Sequence, residues 1–259
     1  MSDSRRPKVD IVVLLAGEGK RLRPLTKDRP KALLCCEGGI SIFHNLVKAV
    51  VAQPWDATII PVIGHGRHKV HEEMDALANL VKFDHVHNPF YATAGPLASL
   101  WLGVLQAKNE HLLVVNGDTL VKESLVEKLV PWLQGDNAQG EVSLCVSKSD
   151  EFEPDDMKVA VDAQGAFVAT GKDIDSSSRR LKSAGVMALR GKENKDILKA
   201  RLDQMVMDPQ RLTRKYYWHN VLDEVKDDFK IDLIPVAANS WYEIDTRIDF
   251  KTMVASADS

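Results

Sequence analysis

Cysteine is scarce in this chain: Cys35, Cys36 and Cys145 are the three present, two adjacent and none in a C-x-x-C pair. That spacing excludes a zinc site of the usual paired-cysteine kind and a disulfide framework, and it makes a reducing cytoplasm the expected location. No apolar run reaches the length of a membrane span. The polar, basic stretch Met1–Pro7 leads only into a short strand-like run, too short for the apolar core of a signal peptide. An excess of positive charge is missing as well. The 34 Lys and Arg against 37 Asp and Glu give a net charge of −3, which lacks the footprint of a nucleic-acid binder. Internal repeats and linker-like stretches are also absent, so the 259 residues are expected to form a single domain.

What is present in the first half is an alternation of strand and helix signals. Val9–Leu15 is an apolar, β-branched run that stops at Ala16-Gly17 and reads as a buried strand. Ser41 is placed to cap a helix to about Gln53, with Ile42, Leu46, Val47 and Val50 on one face. Ala57–Ile63, Lys82–His87 and His111–Val115 read as further strands. Arg67–Leu80, Ala94–Ala107 and Ser124–Leu133 read as helices. Repeated strand–helix–strand units imply right-handed crossovers and a mostly parallel sheet between helical layers: an α/β, Rossmann-like, three-layer architecture. Ligands of such sheets bind beyond the carboxyl ends of the strands, where Gly17 and Asp118 both fall.

The second half is less regular. Glu141–Ser147, Lys158–Asp162, Ala166–Thr170 and Ser183–Leu189 read as strands, with a hairpin turn at Ala163-Gln164-Gly165. Lys192–Val206 and about 211–225 read as helices, Ile231–Ala237 and Trp241–Ile244 as strands, and Thr246–Ser256 as a closing helix. The serine-rich stretch Asp173–Arg180 reads as a mobile loop and a lid candidate.

The segment from Leu14 to Leu34 carries the most chemistry. Gly17 and Gly19 allow a tight turn that presents N–H groups to an anion. Lys20, Arg21, Arg23, Lys27, Arg29 and Lys31 follow. Glycines and fixed cations just past a strand make a cradle for polyphosphate. The segment is neither a Walker A loop nor a full G-x-G-x-x-G fingerprint. Asp118 ends the apolar run Val115-Asn-Gly-Asp-Thr119 and Asp245 lies in Glu243-Ile-Asp-Thr-Arg247. Each carboxylate follows a strand and can reach a cation, and each can equally be a turn or helix-capping residue. Glu243 is expected to point away from the site, and Asp249 to be solvated.

The stretch Gly17 to Leu33 resembles the G-x-G-x-R-x-x-P-x-T-x-x-x-P-K-x-L motif of the sugar nucleotidyltransferase family, with its GT-A-like fold. Gly17, Gly19, Arg21, Pro24, Thr26, Pro30, Lys31 and Leu33 match. The resemblance implies transfer of the nucleoside monophosphate of an NTP to a small phosphorylated acceptor, with release of pyrophosphate. By it Arg21 and Lys31 are the catalytic cations, and Asp118 and Asp245 hold Mg2+. Leu14, Ala16, Gly17, Glu18, Gly19, Lys20, Ala94, Gly95 and Asn116 meet the nucleotide. The NTP-binding half covers about 8–135 and the acceptor-binding half, with a small β-hairpin and helical insertion, about 140–259.

Lys158, Lys172, Tyr217, Trp218 and Trp241 resemble the acceptor site of the branch that makes CDP-choline and CDP-linked phosphonates, with Trp101 a further aromatic for a cage around an ammonium group. That branch sets CTP as the expected donor and phosphocholine or a phosphonate as the acceptor. Ala94-Gly95 departs from the Asn-Asn of that branch towards the hexose enzymes, so a hexose-1-phosphate thymidylyl-, uridylyl- or guanylyltransferase is the alternative. A non-catalytic nucleotide-binding module is the rival of another class. His65, His68 and His71 read as a solvated helix start rather than a metal site. Neither nucleic acid nor membrane is an expected partner, and monomer and homodimer both remain open.

Overall fold

The computed structural model describes residues 6–255 apart from 137, 176, 214 and 215, without the side chains of 37 and 252–255. In chain order the elements are β1 (Lys8–Leu14), α1 (Ile42–Val51), β2 (Asp56–Ile63), α2 (Arg67–Leu77), β3 (Lys82–Phe83), β4 (Val86–His87), α3 (Pro96–Gln106), β5 (His111–Asn116), β6 (Thr119–Val121), α4 (Glu123–Val126) and α5 (Leu129–Leu133). They continue with β7 (Val142–Ser147), β8 (Lys158–Val161), β9 (Phe167–Gly171), β10 (Arg180–Leu189), α6 (Lys192–Val206), α7 (Asn220–Val225), β11 (Ile231–Pro235), β12 (Trp241–Glu243) and α8 (Arg247–Ala255).

A mixed sheet runs β11-β7-β10-β5-β1-β2-β3, with β4 on β2 and the β8–β9 hairpin on β10. The crossover half is parallel: β1 pairs in parallel with both β2 and β5. β10 runs antiparallel to β5 and β7, which makes the sheet mixed. Alternate residues of β1 feed two cores. Ile11 and Val13 pack with Phe43, Leu46 and Leu125 on one face. Val12 packs with Leu97, Leu100, Leu198 and Val221 on the other. That two-sided burial explains why β1 reads as a continuous apolar run.

Several expected elements are shorter or broken, for local reasons. Ser124–Leu133 is two helices, α4 and α5, because Pro131 has no N–H to give to the turn before it. Lys82–His87 is two short strands, interrupted where Asp84 N–H bonds Ile59 O at 2.9 Å. Of the expected helix 211–225 only Asn220–Val225 forms. The carbonyl of Leu212 accepts from Gly95 N at 2.7 Å instead of continuing a helix, and residues 214 and 215 lie outside the described residues. The expected hairpin is present, with Gly165 at φ 86° and the Asp162 carboxylate accepting from Gln164 and Ala166 N–H.

One element has no counterpart in the sequence reading. β6 pairs antiparallel with β12 as a separate two-stranded ribbon, Glu243 opposite Thr119, and Ile244 N–H bonds Asp118 O at 3.1 Å. No helix among the described residues is long and apolar enough to cross a membrane.

Candidate active site

The carboxyl ends of β1 and β5 open into a cleft of about 420 Å³. The loop after β1 forms one wall. Gly19 adopts φ 55°, a left-handed conformation that favours glycine. Its carbonyl accepts from the Thr26 hydroxyl at 2.7 Å, which folds the basic segment back on itself. Leu14, Ala16, Gly17, Glu18, Gly19 and Lys20 all line the cleft. Glu18 pairs with Lys20 at 2.9 Å and with Arg23 at 3.7 Å.

Across the cleft, Ala94 and Gly95 start α3, with Gly95 as N-cap and Pro96 in the first turn. Gly95 is required by close approach: a Cβ there would lie 2.2 Å from Thr213 O. The segment around Thr213 thus packs directly on this position and leaves no room for an asparagine side chain.

The floor of the cleft is a charge cluster. Lys31 Nζ lies 2.6 Å from Asp245 Oδ1 and 2.9 Å from Asp118 Oδ2. Arg21 reaches Asp245 Oδ1 at 3.2 Å and also pairs with Asp155. Burial works against the Lys31 ammonium, but Asp118 and Asp245 outweigh it and hold its pKa above the ordinary lysine value. Arg21 is likewise raised, burial being outweighed by Asp245 and Asp155.

Local structure frees both aspartates from the capping roles that the sequence allowed. Asp118 precedes a strand, and the N-cap of α4 is Lys122. For α8, Thr246 Oγ1 accepts from Ile248 and Asp249 N–H, while Asp249 Oδ2 accepts from Asp245 and Thr246 N–H. This reciprocal cap assigns Asp249 to the helix start, rather than to solvent, and releases the Asp245 side chain to the cleft.

Glu243 was expected to face away, and the structure corrects this. Asp118, Glu243 and Asp245 each offer one oxygen, all within 4.8 Å of one another. The spacing of two residues between Glu243 and Asp245 puts both on one side of an extended chain, a signal available in the sequence. Burial, then the neighbouring Asp118 and Asp245 charges, push the Glu243 carboxyl up to about 8. Asp118 Oδ1 is buried and has no hydrogen-bond partner. An all-oxygen donor set with one orphaned carboxylate oxygen and crowded like charges fits a hard divalent cation such as magnesium.

The expected acceptor residues divide. Lys172, Tyr217 and Trp218 line the cleft; Lys158 and Trp241 do not. Lys172 Nζ sits 4.6 Å from the centre of the Tyr217 ring and 3.2 Å from Asp155 Oδ1. Trp218 is only 2% exposed, stacks on His219 at 3.8 Å, and its indole N–H donates to Asn116 Oδ1. Trp241 is buried in the core below the ribbon, and Trp101 donates to Asp203 at 2.8 Å outside the cleft. The aromatic cage is therefore not assembled among the described residues, because two of its four rings lie outside the cleft and a third, Trp218, is buried with a face stacked on His219.

Asp155, Ser183 and His219, which the sequence reading missed, also line the cleft. His219 Nε2 is 3.1 Å from Ser183 Oγ, and burial, then Lys172, push the imidazole down to about 3. Asp173–Arg180 contributes nothing to the lining among the described residues, and its Ser176 lies outside them. Of the three histidines set aside earlier, His65 is 2.9 Å from Thr26 O and His71 meets the His85 ring edge-on at 4.6 Å. They form no metal cluster among the described residues.

Residues 11–153 match the family described as nucleotidyl transferase. The chain is 24% identical over 249 residues to the bifunctional protein GlmU of Sulfurimonas denitrificans, a stretch covering 93% of this chain and 52% of that protein. It therefore spans about half the length of that relative. It is 46% identical over 56 residues to the N-acetylmuramate alpha-1-phosphate uridylyltransferase of Caulobacter vibrioides, covering 22% of this chain and 23% of the other. Among solved structures, the CTP:phosphocholine cytidylyltransferase of Streptococcus pneumoniae superposes with a TM-score of 0.74 at 17% identity, over 96% of this chain and 98% of that one, which is a likeness of fold.

Proposed function

The chain belongs to the nucleotidyl transferase family, and from that premise we propose that it transfers the nucleoside monophosphate of an NTP to the phosphate of a sugar 1-phosphate, releasing pyrophosphate. One observation carries the transfer reading: Lys31 lies on both Asp118 and Asp245, beside Arg21 and at the mouth of the glycine loop. Cations for phosphate oxygens and carboxylates for a metal thus converge within one cleft.

In this reading the loop Gly17–Lys20 and Arg21 bind the β- and γ-phosphates through N–H groups and the guanidinium. An oxygen of the acceptor phosphate attacks the α-phosphorus in line; the new P–O bond forms as the bond to the β-phosphate oxygen breaks, and pyrophosphate leaves. Lys31 stabilises the charge spread over the α-phosphate oxygens. Asp118 and Asp245, with Glu243 added, would hold a magnesium ion, which would supply positive charge to offset that of the phosphates. Lys172 meets the acceptor phosphate. The acceptor phosphate is already ionised near neutral pH, so no side chain need act as base. His219 suits that role poorly, being held neutral with its Nε2 on Ser183.

The choice of acceptor rests on the aromatic rings. Of the expected cage aromatics that line the cleft, Trp218 is buried and stacked on His219, and the Lys172 ammonium lies over the Tyr217 ring. A quaternary ammonium such as choline would meet that charge instead of a cage, so the observed arrangement supports a hydroxyl-bearing acceptor over phosphocholine. The short match, of higher identity, to an N-acetylmuramate alpha-1-phosphate uridylyltransferase supports the same choice and favours UTP as donor. Pyrophosphate release across the four NTPs, each with a panel of sugar 1-phosphates, phosphocholine and aminoethylphosphonate, tests it. Turnover with a sugar 1-phosphate is expected; turnover with phosphocholine alone would overturn the acceptor reading, and no turnover with any pair would return the chain to a non-catalytic binding role.

A further inference from the structure

Lys158 is only 5% exposed, and its ammonium donates to three backbone carbonyls: Lys172 O, Glu153 O at 3.3 Å and Asp156 O at 3.4 Å. An ammonium has three donors, so all of them are used. The carbonyls belong to two separate stretches of chain. Glu153 and Asp156 close a turn, with Asp156 N–H on Glu153 O at 3.1 Å and Glu153 N–H on Asp156 Oδ2 at 2.9 Å. Lys172 lies just past the end of β9. The turn carries Asp155, whose carboxylate pairs with both Arg21 and Lys172.

β8 lies between β9 and β10, and in that register Lys158 stands opposite Gly171 on one side and Lys182 on the other. Lys182 Nζ holds the same turn from its second side, 2.6 Å from Asp156 Oδ1, while stacking over the Trp241 ring at 5.6 Å. The turn is thus anchored to its neighbours by two lysines, and of these only Lys158 also grips the segment that carries Lys172.

We propose that Lys158 is a positioning residue for the acceptor end of the cleft: its buried ammonium ties the Glu153–Asp156 turn to the backbone at Lys172, and so fixes Asp155 and Lys172 relative to Arg21. This rests on the transfer reading above for its effect on turnover, though not for the tie itself. Removing the ammonium takes the shared donor from the Lys172 and Asp156 carbonyls, leaves Glu153 O with the Asp156 N–H alone, and lets the turn and the Lys172 segment move apart, whereas the glycine loop and the Asp118–Asp245 cluster sit on other elements.

The test compares the full chain with Lys158→Met and Lys158→Arg by hydrogen exchange without ligand. In Lys158→Met, amides in the Glu153–Asp156 turn and around Lys172 are expected to exchange about tenfold faster, with those of β1 and β2 unchanged, and Lys158→Arg should recover part of the protection. Unchanged exchange in the turn, or a uniform rise across the sheet, would overturn the proposal. Lys158→Gln, which keeps a buried donor, replaces Lys158→Met if the latter does not fold. With UTP and glucose 1-phosphate, the acceptor KM of the variant should rise about tenfold while the NTP KM stays within about twofold; equal loss on both substrates would reduce Lys158 to a purely structural residue. If the wild type turns over no substrate pair, the transfer reading fails and the exchange experiment still decides the tie.

Discussion

Replacing Lys31 with Met removes the one cation among the described residues that touches both Asp118 and Asp245, while keeping most of the side-chain volume. At the observed 2.6 and 2.9 Å, two such pairs would each attract by about 6 kcal/mol at an effective dielectric of about 20. Dehydration of the ammonium cancels much of this, and removing one partner of a buried pair costs about 3–5 kcal/mol. The Asp118 side chain is 30% exposed and Asp245 17%, so solvent screening reduces the expected loss to about 2–3 kcal/mol. Without Lys31, three carboxylates remain within 4.8 Å, and Glu243, raised to about 8 by burial and by its acidic neighbours, loses a cation that holds it down. At Glu243 the folded state then keeps a proton that the unfolded chain has lost, so the penalty should be larger at about pH 9 than at about pH 5. Magnesium added without nucleotide neutralises the same carboxylates, and should stabilise Lys31→Met more than the wild type, by mass action on the folded state. Urea unfolding at the two pH values, each with and without magnesium, reads all of this. A loss below about 1 kcal/mol, or a loss that ignores both pH and magnesium, would refute the placement of Lys31 as the counter-ion of the clustered carboxylates.

Asp118→Ala and Asp245→Ala should each abolish magnesium-dependent pyrophosphate release while circular dichroism stays that of the wild type; retained turnover removes that residue from the site. His219 is neutral in the folded chain, its pKa pushed down to about 3 from the ordinary 6.5, so the unfolded chain takes up a proton first as pH falls. Stability present above about pH 6.5 is therefore lost below it, by about 2 kcal/mol at about pH 5. His219→Asn should unfold with a flatter pH dependence than the wild type, and identical slopes would refute a buried neutral imidazole. Gly95→Asn should cost about 3 kcal/mol in urea unfolding, because its Cβ would meet Thr213 O; wild-type stability would mean that the segment can yield.

The glycine-loop wall of the cleft was legible from the sequence because it is local. A strand, two glycines and the cations after them lie within one stretch of chain, and the backbone that turns at Gly19 is the backbone that offers the N–H groups. The α/β alternation was legible for the same reason: buried strands and amphipathic helices each declare themselves over a few residues, and parallel pairing follows from the crossovers. Even the two aspartates could be named singly, each just past a strand.

Tertiary structure alone decided how these pieces meet. The ribbon of β6 on β12 brings Asp118 beside Glu243 and Asp245, and a three-residue strand pair between distant segments leaves no periodicity to read. The reciprocal cap of α8 settled whether Asp245 was free, a matter of which oxygen an N–H finds. The same holds for the lysines and the aromatics. Lys158 and Lys172 carry the same charge in the same hairpin, yet register turns one into the protein against carbonyls and the other into the cleft. Trp218 and Trp241 differ only in what packs around them. A side chain's identity states what it can bind; burial and the partners already in reach determine whether any of that capacity is left for a substrate.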